Sequence, residues 1–299
     1  MWMFHSSKFC IPSLLLILLL QGCSKSPAPI KNFPEANQKF LQLCKEEYHL
    51  DVLTKKVRKT LWIYLPMKES LFDYKGTKDG PKRSNKGTEK NSLQYFDGHY
   101  ENAIFHFEYA VAKTMSYDVD YGYKNTYSKQ YQQKQSYILT AIFRAYSDLE
   151  NSADESVPEF FAVVITDIQR GAELTSLFDF DDFKRAQTGF LPSEEFLKRI
   201  ISDVSGQESM IADAEGKHIK YHDISWTEFL TKQALNRIRF KYQQSDFKPG
   251  DNTEEEMITI VAETFQAYHF QDFKSVELKN LATQKEVIFE QSQLSTFAR

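Results

Sequence analysis

Apolar residues recur at helical spacing in some stretches of this chain and alternate singly in others, and the two rhythms divide it into elements. Glu35 to Tyr48 sets Phe40, Leu41, Cys44 and Tyr48 on one side, which predicts an amphipathic helix. Residues 51–65 read as one or two strands, ending in Leu61-Trp62-Ile63-Tyr64-Leu65 and stopped by Pro66. Phe105 to Val111 alternates strictly and predicts a half-buried strand, after which Tyr117 to Tyr123 turn the chain. A long helix follows over Thr126 to Leu149, its stripe made of Tyr137, Ile138, Ala141, Ile142, Ala145 and Leu149. Phe160-Phe161-Ala162-Val163-Val164-Ile165 is apolar on both faces, as a central strand must be.

The last third reads as more helical. Pro192-Ser193-Glu194-Glu195 opens a helix with Ser193 as its cap and with Phe196, Ile200 and Ile201 on one side. Ser225 or Asp223 caps a second, carrying Trp226, Phe229, Leu230, Ala234 and Ile238. Asn252-Thr253 opens a third, carrying Met257, Ile260, Val261, Phe265 and Tyr268. Strands near 274–279 and 285–290, joined by a turn around Asn280, close the chain.

These elements predict an α+β fold, a mostly antiparallel sheet covered by amphipathic helices. They form a single domain over 35–299, with a sub-boundary near the acidic stretch 150–158. A faint echo suggests helix-strand-strand units around a common sheet. Tyr48-His49-Leu50 and Tyr268-His269-Phe270 each end a helix before strands, and Ala145-Tyr146 stands near the end of another. Residues 75–92 hold no apolar side chain to bury and read as a disordered polar surface loop, whose lysines suit anionic lipid or polymer.

The first residues follow a different logic. One lysine and no acidic residue precede the apolar run Leu14 to Leu20, the charged and greasy regions of a secretory signal. The run is shorter than the roughly 20 apolar residues that span a bilayer. It ends in Leu20-Gln21-Gly22-Cys23, which resembles the lipobox of bacterial lipoprotein precursors, with leucine at −3 and a small residue at −1. The resemblance covers residues 1–23 and implies cleavage before Cys23, lipid on that cysteine, and residence in the bacterial cell envelope. Ser24 after it implies the outer membrane where the cell has two. Gln21 is bulkier than the small or aliphatic residue usual at −2. Residues 24–34, with their prolines, then serve as a tether reaching about 30–35 Å when extended.

Composition narrows the function. The formal net charge is −4, without the basic excess of a nucleic-acid binder. With Cys10 removed and Cys23 lipidated, Cys44 is the one thiol left, so the mature chain has no intramolecular disulfide. Helical spacing with Phe40, Leu41 and Tyr48 marks Cys44 as a core residue. No nucleophile elbow, phosphate loop or dinucleotide fingerprint occurs, and no motif calls for a cofactor.

Three constellations carry candidate chemistry. His218 and His222, at zinc-ligand spacing with Asp223 and Glu215 beside them, form a candidate metal site. The rival reading puts both histidines in a solvent-facing loop, since Gly216 marks a turn. Asp118 with Asp120, and Asp179 with Asp181 and Asp182, are candidate catalytic carboxylates, although aspartates more commonly cap helices and turns. Tyr117, Tyr121 and Tyr123 are the candidate binding surface for a protein or glycan partner, within a tyrosine-rich stretch from Tyr95 to Tyr131. Together these predict a membrane-anchored, non-catalytic binding or assembly protein of the envelope. The alternative is an envelope hydrolase acting on glycan or peptide.

Overall fold

A computed structural model describes residues 32–76, 82–120, 123–149, 157–243 and 253–298, without the side chains of 74–91 and 113–125. Two central strands set the architecture. In β2 (Thr60–Met67) and β7 (Phe160–Asp167), paired in parallel, the buried apolar side chains divide between two opposed cores. Leu61, Ile63, Leu65, Phe161, Val163 and Ile165 enter the first core. Trp62, Tyr64, Phe160, Ala162 and Val164 enter the second. The period of two in a doubly covered strand produces this division. Around them, β1 (Leu53–Val57), β8 (Ala172–Asp179) and β9 (Ile201–Gly206) complete a five-stranded sheet of order β1-β2-β7-β8-β9, with β7 in the middle. β2 and β7 pair across residues 150–158, so chain from both sides of that stretch builds this one sheet.

Helices fill the first core. α1 (Phe33–Gln42) contributes Ala36 and Phe40, and a π-helical turn (Leu43–Glu47) adds Cys44. α2 (Lys129–Tyr146) lays Ile138, Ala141, Ile142 and Ala145 on the sheet, while α3 (Phe180–Gln187) and α4 (Ser193–Arg199) bring Phe183 and Phe196. The second core is shared with a four-stranded sheet of order β11-β10-β5-β4, built from β4 (Lys82–Glu101), β5 (Ile104–Asp120), β10 (Ser275–Asn280) and β11 (Lys285–Glu290). α5 (Trp226–Gln243) and α6 (Thr253–Ala267) join the two sheets: Phe229 packs on Phe160, and Phe265 on Phe105. A short β3 (Phe72–Gly76) pairs with β6 (Tyr123–Tyr127), and α7 (Gln291–Leu294) ends the fold.

The fold is α+β, with antiparallel pairing in every ladder except β2–β7 and β5–β10. The helix-strand-strand succession occurs as α1-β1-β2, α2-β7-β8 and α6-β10-β11. The units do not surround a common sheet, because the third lies in the four-stranded one. The echo of Tyr-His has a backbone cause. His49 and His269 sit at φ 55° and 52°, and the next residue's N–H turns back into the helix end. Leu50 N donates to Cys44 O at 2.8 Å, and Phe270 N to Phe265 O at 3.0 Å.

Several boundaries differ from expectation. Pro66 does not stop β2, which runs to Met67. β1 reaches only to the partner of Tyr64, so a missing donor on that side of Pro66 leaves no ladder bond unmade. Residues 82–92, expected in a polar loop, belong to β4, because backbone pairing to β5 asks for no apolar side chain. Residues 117–120 extend β5 and Tyr123 starts β6, where a turn was expected, and residues 121–122 lie outside the described residues. α2 starts later than Thr126, capped by Ser128, whose Oγ accepts from Tyr131 N at 3.1 Å. In α4 the capping position is Pro192, and Ser193 is already helical. Ser225 does cap α5, accepting from Glu228 N at 3.1 Å.

Candidate functional site

The face of β2 that looks into the second core carries Thr60, Trp62 and Tyr64, and all three hold the loop 211–225. Thr60 Oγ1 donates to Asp223 and accepts from Ile224 N at 2.8 Å. Trp62 Nε1 donates to His222 O at 2.8 Å, and Tyr64 Oη to Asp213 O at 2.5 Å. A strand with period two thus offers one donor per repeat to the loop crossing it.

Where this loop passes β7 and β8 it delivers His218 onto the sheet. Thr166 and Glu173 face each other across the β7–β8 ladder, and Thr166 Oγ1 donates to Glu173 Oε2 at 2.7 Å. His218 Nε2 meets the same Oε2 at 2.6 Å, and its Nδ1 meets Asp213 Oδ2 at 2.5 Å. The Asp213 carboxylate also accepts the backbone N–H of Glu215 and of His218. The ring stands edge-on to Tyr64 at 5.8 Å. Gly216 makes this approach possible: at φ 68°, a Cβ there would lie 2.6 Å from Tyr221 Oη and 3.0 Å from the Tyr64 ring.

Carboxylates only accept, so a histidine held between two of them donates from both nitrogens and carries a positive charge. Burial opposes that charge, since the His218 side chain is 4% exposed, but hydrogen bonds and charge from Glu173 and Asp213 outweigh it and raise the His218 pKa. Burial likewise opposes ionisation of Asp213, and the donors from His218 and the neighbouring backbone hold its carboxyl well below the usual range. With a proton on each ring nitrogen, His218 has no lone pair left and is neither a metal ligand nor a general base in this state. It is a charged pin fastening the loop to the sheet.

The other members of the candidate metal set disperse. His222 is half exposed and turns to Glu228 Oε1 at 2.9 Å and Lys220 O at 3.0 Å. Asp223 accepts from Lys59 N and Thr60 Oγ1, and Glu215 pairs with Lys217 at 2.7 Å. Among the described residues no group of three or more histidine, cysteine or acidic side chains is arranged to hold a metal ion. The reading of both histidines as solvent-facing fails for His218.

The aspartate cluster divides between capping and ion pairing. Asp179 caps α3, accepting from Asp182 N at 2.9 Å, and burial pushes its carboxyl up to about 7. Asp182 receives Arg199 Nη1 on both oxygens at 3.0 Å, and the exposed Asp181 pairs with Lys184. Asp118 and Asp120 lie at the end of β5, and their side chains are outside the described residues, as are those of Tyr117 and Tyr123. Tyr121 is also outside them. Of the remaining tyrosines, Tyr109 and Tyr131 are core, and Tyr109 Oη donates to Glu254 Oε1 at 2.8 Å. Cys44 is fully buried and its thiol is pushed up to about 12 by that burial.

Glu173, Thr166, Asp213 and Tyr64 were not singled out by sequence. The available signal was Glu173, an acidic residue one position before Leu174 in an otherwise bury-able segment. Comparison with protein-family models, with curated proteins and with solved structures gives no match.

Proposed function

We propose that this chain is a bacterial envelope lipoprotein, cleaved before Cys23 and held to a membrane by lipid on that cysteine, whose α+β domain binds or assembles with other envelope components. The observation that carries the reading is Leu20-Gln21-Gly22-Cys23 directly after the apolar run Leu14 to Leu20. α1 begins at Phe33, a short stretch of sequence after the proposed anchor at Cys23. A binding role is supported by the fate of the best candidate for chemistry: His218 is committed to Glu173 and Asp213, in a loop stitched to β2.

Each buried CH₂ of an acyl chain contributes about 0.8 kcal/mol, and two or more chains make an anchor effectively permanent. Wild-type protein is therefore expected to incorporate labelled palmitate and to stay with membranes through a high-salt wash. Cys23→Ser should lose the label and appear in the soluble fraction. A Cys23→Ser protein that still sediments after the wash would overturn the anchor. In-cell crosslinking followed by purification from solubilised membranes then tests the binding role, which predicts a stoichiometric partner.

A further inference from the structure

The face of the four-stranded sheet opposite the second core brings two histidines together. His99 on β4 stands directly across from His106 on β5, and His106 stands beside Glu277 on β10. The imidazole rings stack with centroids 4.8 Å apart and planes 13° from parallel. His106 Nδ1 lies 2.6 Å from Glu277 Oε2. Since the carboxylate can only accept, Nδ1 of a neutral His106 carries the proton and Nε2 keeps its lone pair. His99 is exposed on the edge strand, and Asp97 and Glu101, two residues to either side, share its face of the sheet.

We propose that His99 and His106 bind a divalent transition-metal ion of the imidazole-preferring kind, such as zinc, nickel or copper, with Glu277 as the positioning carboxylate behind His106. Directly opposed residues of an antiparallel pair place their Cβ atoms about 4.5–5.5 Å apart, within reach of a shared ion. Metal–nitrogen bonds of about 2.0–2.1 Å set two tetrahedral ligands about 3.4 Å from each other. The stacked rings lie in nearly parallel planes, so their in-plane lone pairs do not converge until the exposed His99 turns its ring toward Nε2 of His106, which Glu277 holds in place. A carboxylate behind a ligating histidine orients the ring and raises its basicity. Because Glu277 is engaged in this way, the protein contributes two donors, and solvent completes the shell. Nitrogen ligands select against magnesium and calcium, which take oxygen. Protons compete for the same nitrogens, so binding weakens as pH falls.

The test is calorimetric titration of Zn(II) into the purified chain, prepared without a polyhistidine tag. The expected result is one saturable equivalent. His99→Gln and His106→Gln should each weaken it at least tenfold, Glu277→Gln should weaken it about 10–100-fold, and His222→Gln should leave it unchanged. Circular dichroism checks that each variant is folded, and the exposed His99 makes that substitution the decisive one. No saturable equivalent, or the same affinity in His99→Gln and His106→Gln as in the wild type, overturns the site. Loss in His222→Gln with His99→Gln intact overturns it too, and an unchanged Glu277→Gln overturns the positioning role.

Discussion

His218 shows how much a single side chain governs in this molecule. Glu173 and Asp213 are nearly as buried as the imidazole between them, each with a side chain 10% exposed. Removing the cation leaves two carboxylates enclosed together without it, and taking one partner from a buried ion pair costs about 3–5 kcal/mol. His218→Gln should lower the unfolding free energy from urea titration by that amount, whereas His222→Gln, half exposed, should change it little. The pH dependence follows from the raised pKa of His218. Below the unfolded-state value of 6.5 the imidazolium contributes fully, and the contribution is lost as pH rises through the higher folded-state value. Asp213 acts in the opposite window: its depressed pKa stabilises above the unfolded value and ceases to do so as pH falls through the folded one. Wild-type midpoints should therefore decline on the alkaline side more steeply than those of His218→Gln. Parallel curves from pH 6 to 9 would show that the ring is not charged in the folded protein.

Among the elements, α3 is held at its start by an acid that burial keeps about half protonated at neutrality. The Asp179 carboxyl, pushed to about 7, binds protons in the folded chain that the unfolded chain has released, so stability falls as pH rises from about 4 through 7. Asparagine keeps the capping oxygen for Asp182 N–H and has no charge to bury. Asp179→Asn should thus be more stable than wild type at pH 8 by at least about 1 kcal/mol, with the difference vanishing near pH 4. A wild type that stays the more stable at pH 8 would mean that Asp179 is ionised and well paired.

Elements with a strong rhythm were legible from residues alone. β2, β7, the start of β5, α5, α6 and the final pair of strands lie where apolar periodicity places them, because burial writes directly into residue choice. β8 and β9 escaped. β8 carries Glu173, Thr175 and Ser176 among its apolar residues, and β9 is an edge strand, exposed from Ser202 to Gly206. Much of β4 is polar as well, held by main-chain pairing that leaves no mark on side-chain type. The candidate site was legible only in part. His218 drew notice through its spacing to His222, but its true partners stand 45 residues upstream at Glu173 and five residues upstream at Asp213. Long-range polar contacts have no period to read.

For the whole molecule, the shared sheet ties the two cores into one cooperative structure. Phe160 and Phe161 are neighbours in sequence, fully buried, and on opposite faces of β7. Either residue changed to alanine should cost about 3–5 kcal/mol. Since both cores use β2, β7 and β8, each variant should shift one common transition, seen alike by near- and far-ultraviolet circular dichroism. Two separated transitions in Phe160→Ala, with only one displaced, would show that the cores unfold independently.

The parallel ladder between β2 and β7 also sets an order of events. Thr60 pairs with Phe160, so neither core can close until the chain has been made past residue 167. Closing so long a loop before its contacts repay the lost entropy makes folding slow. Until then Leu61 to Leu65 stays uncovered on both sides, a short β-prone apolar segment with no charge inside it. A chain delivered end-first thus passes through a window in which it can be kept unfolded, or captured by a chaperone, before its middle strand arrives.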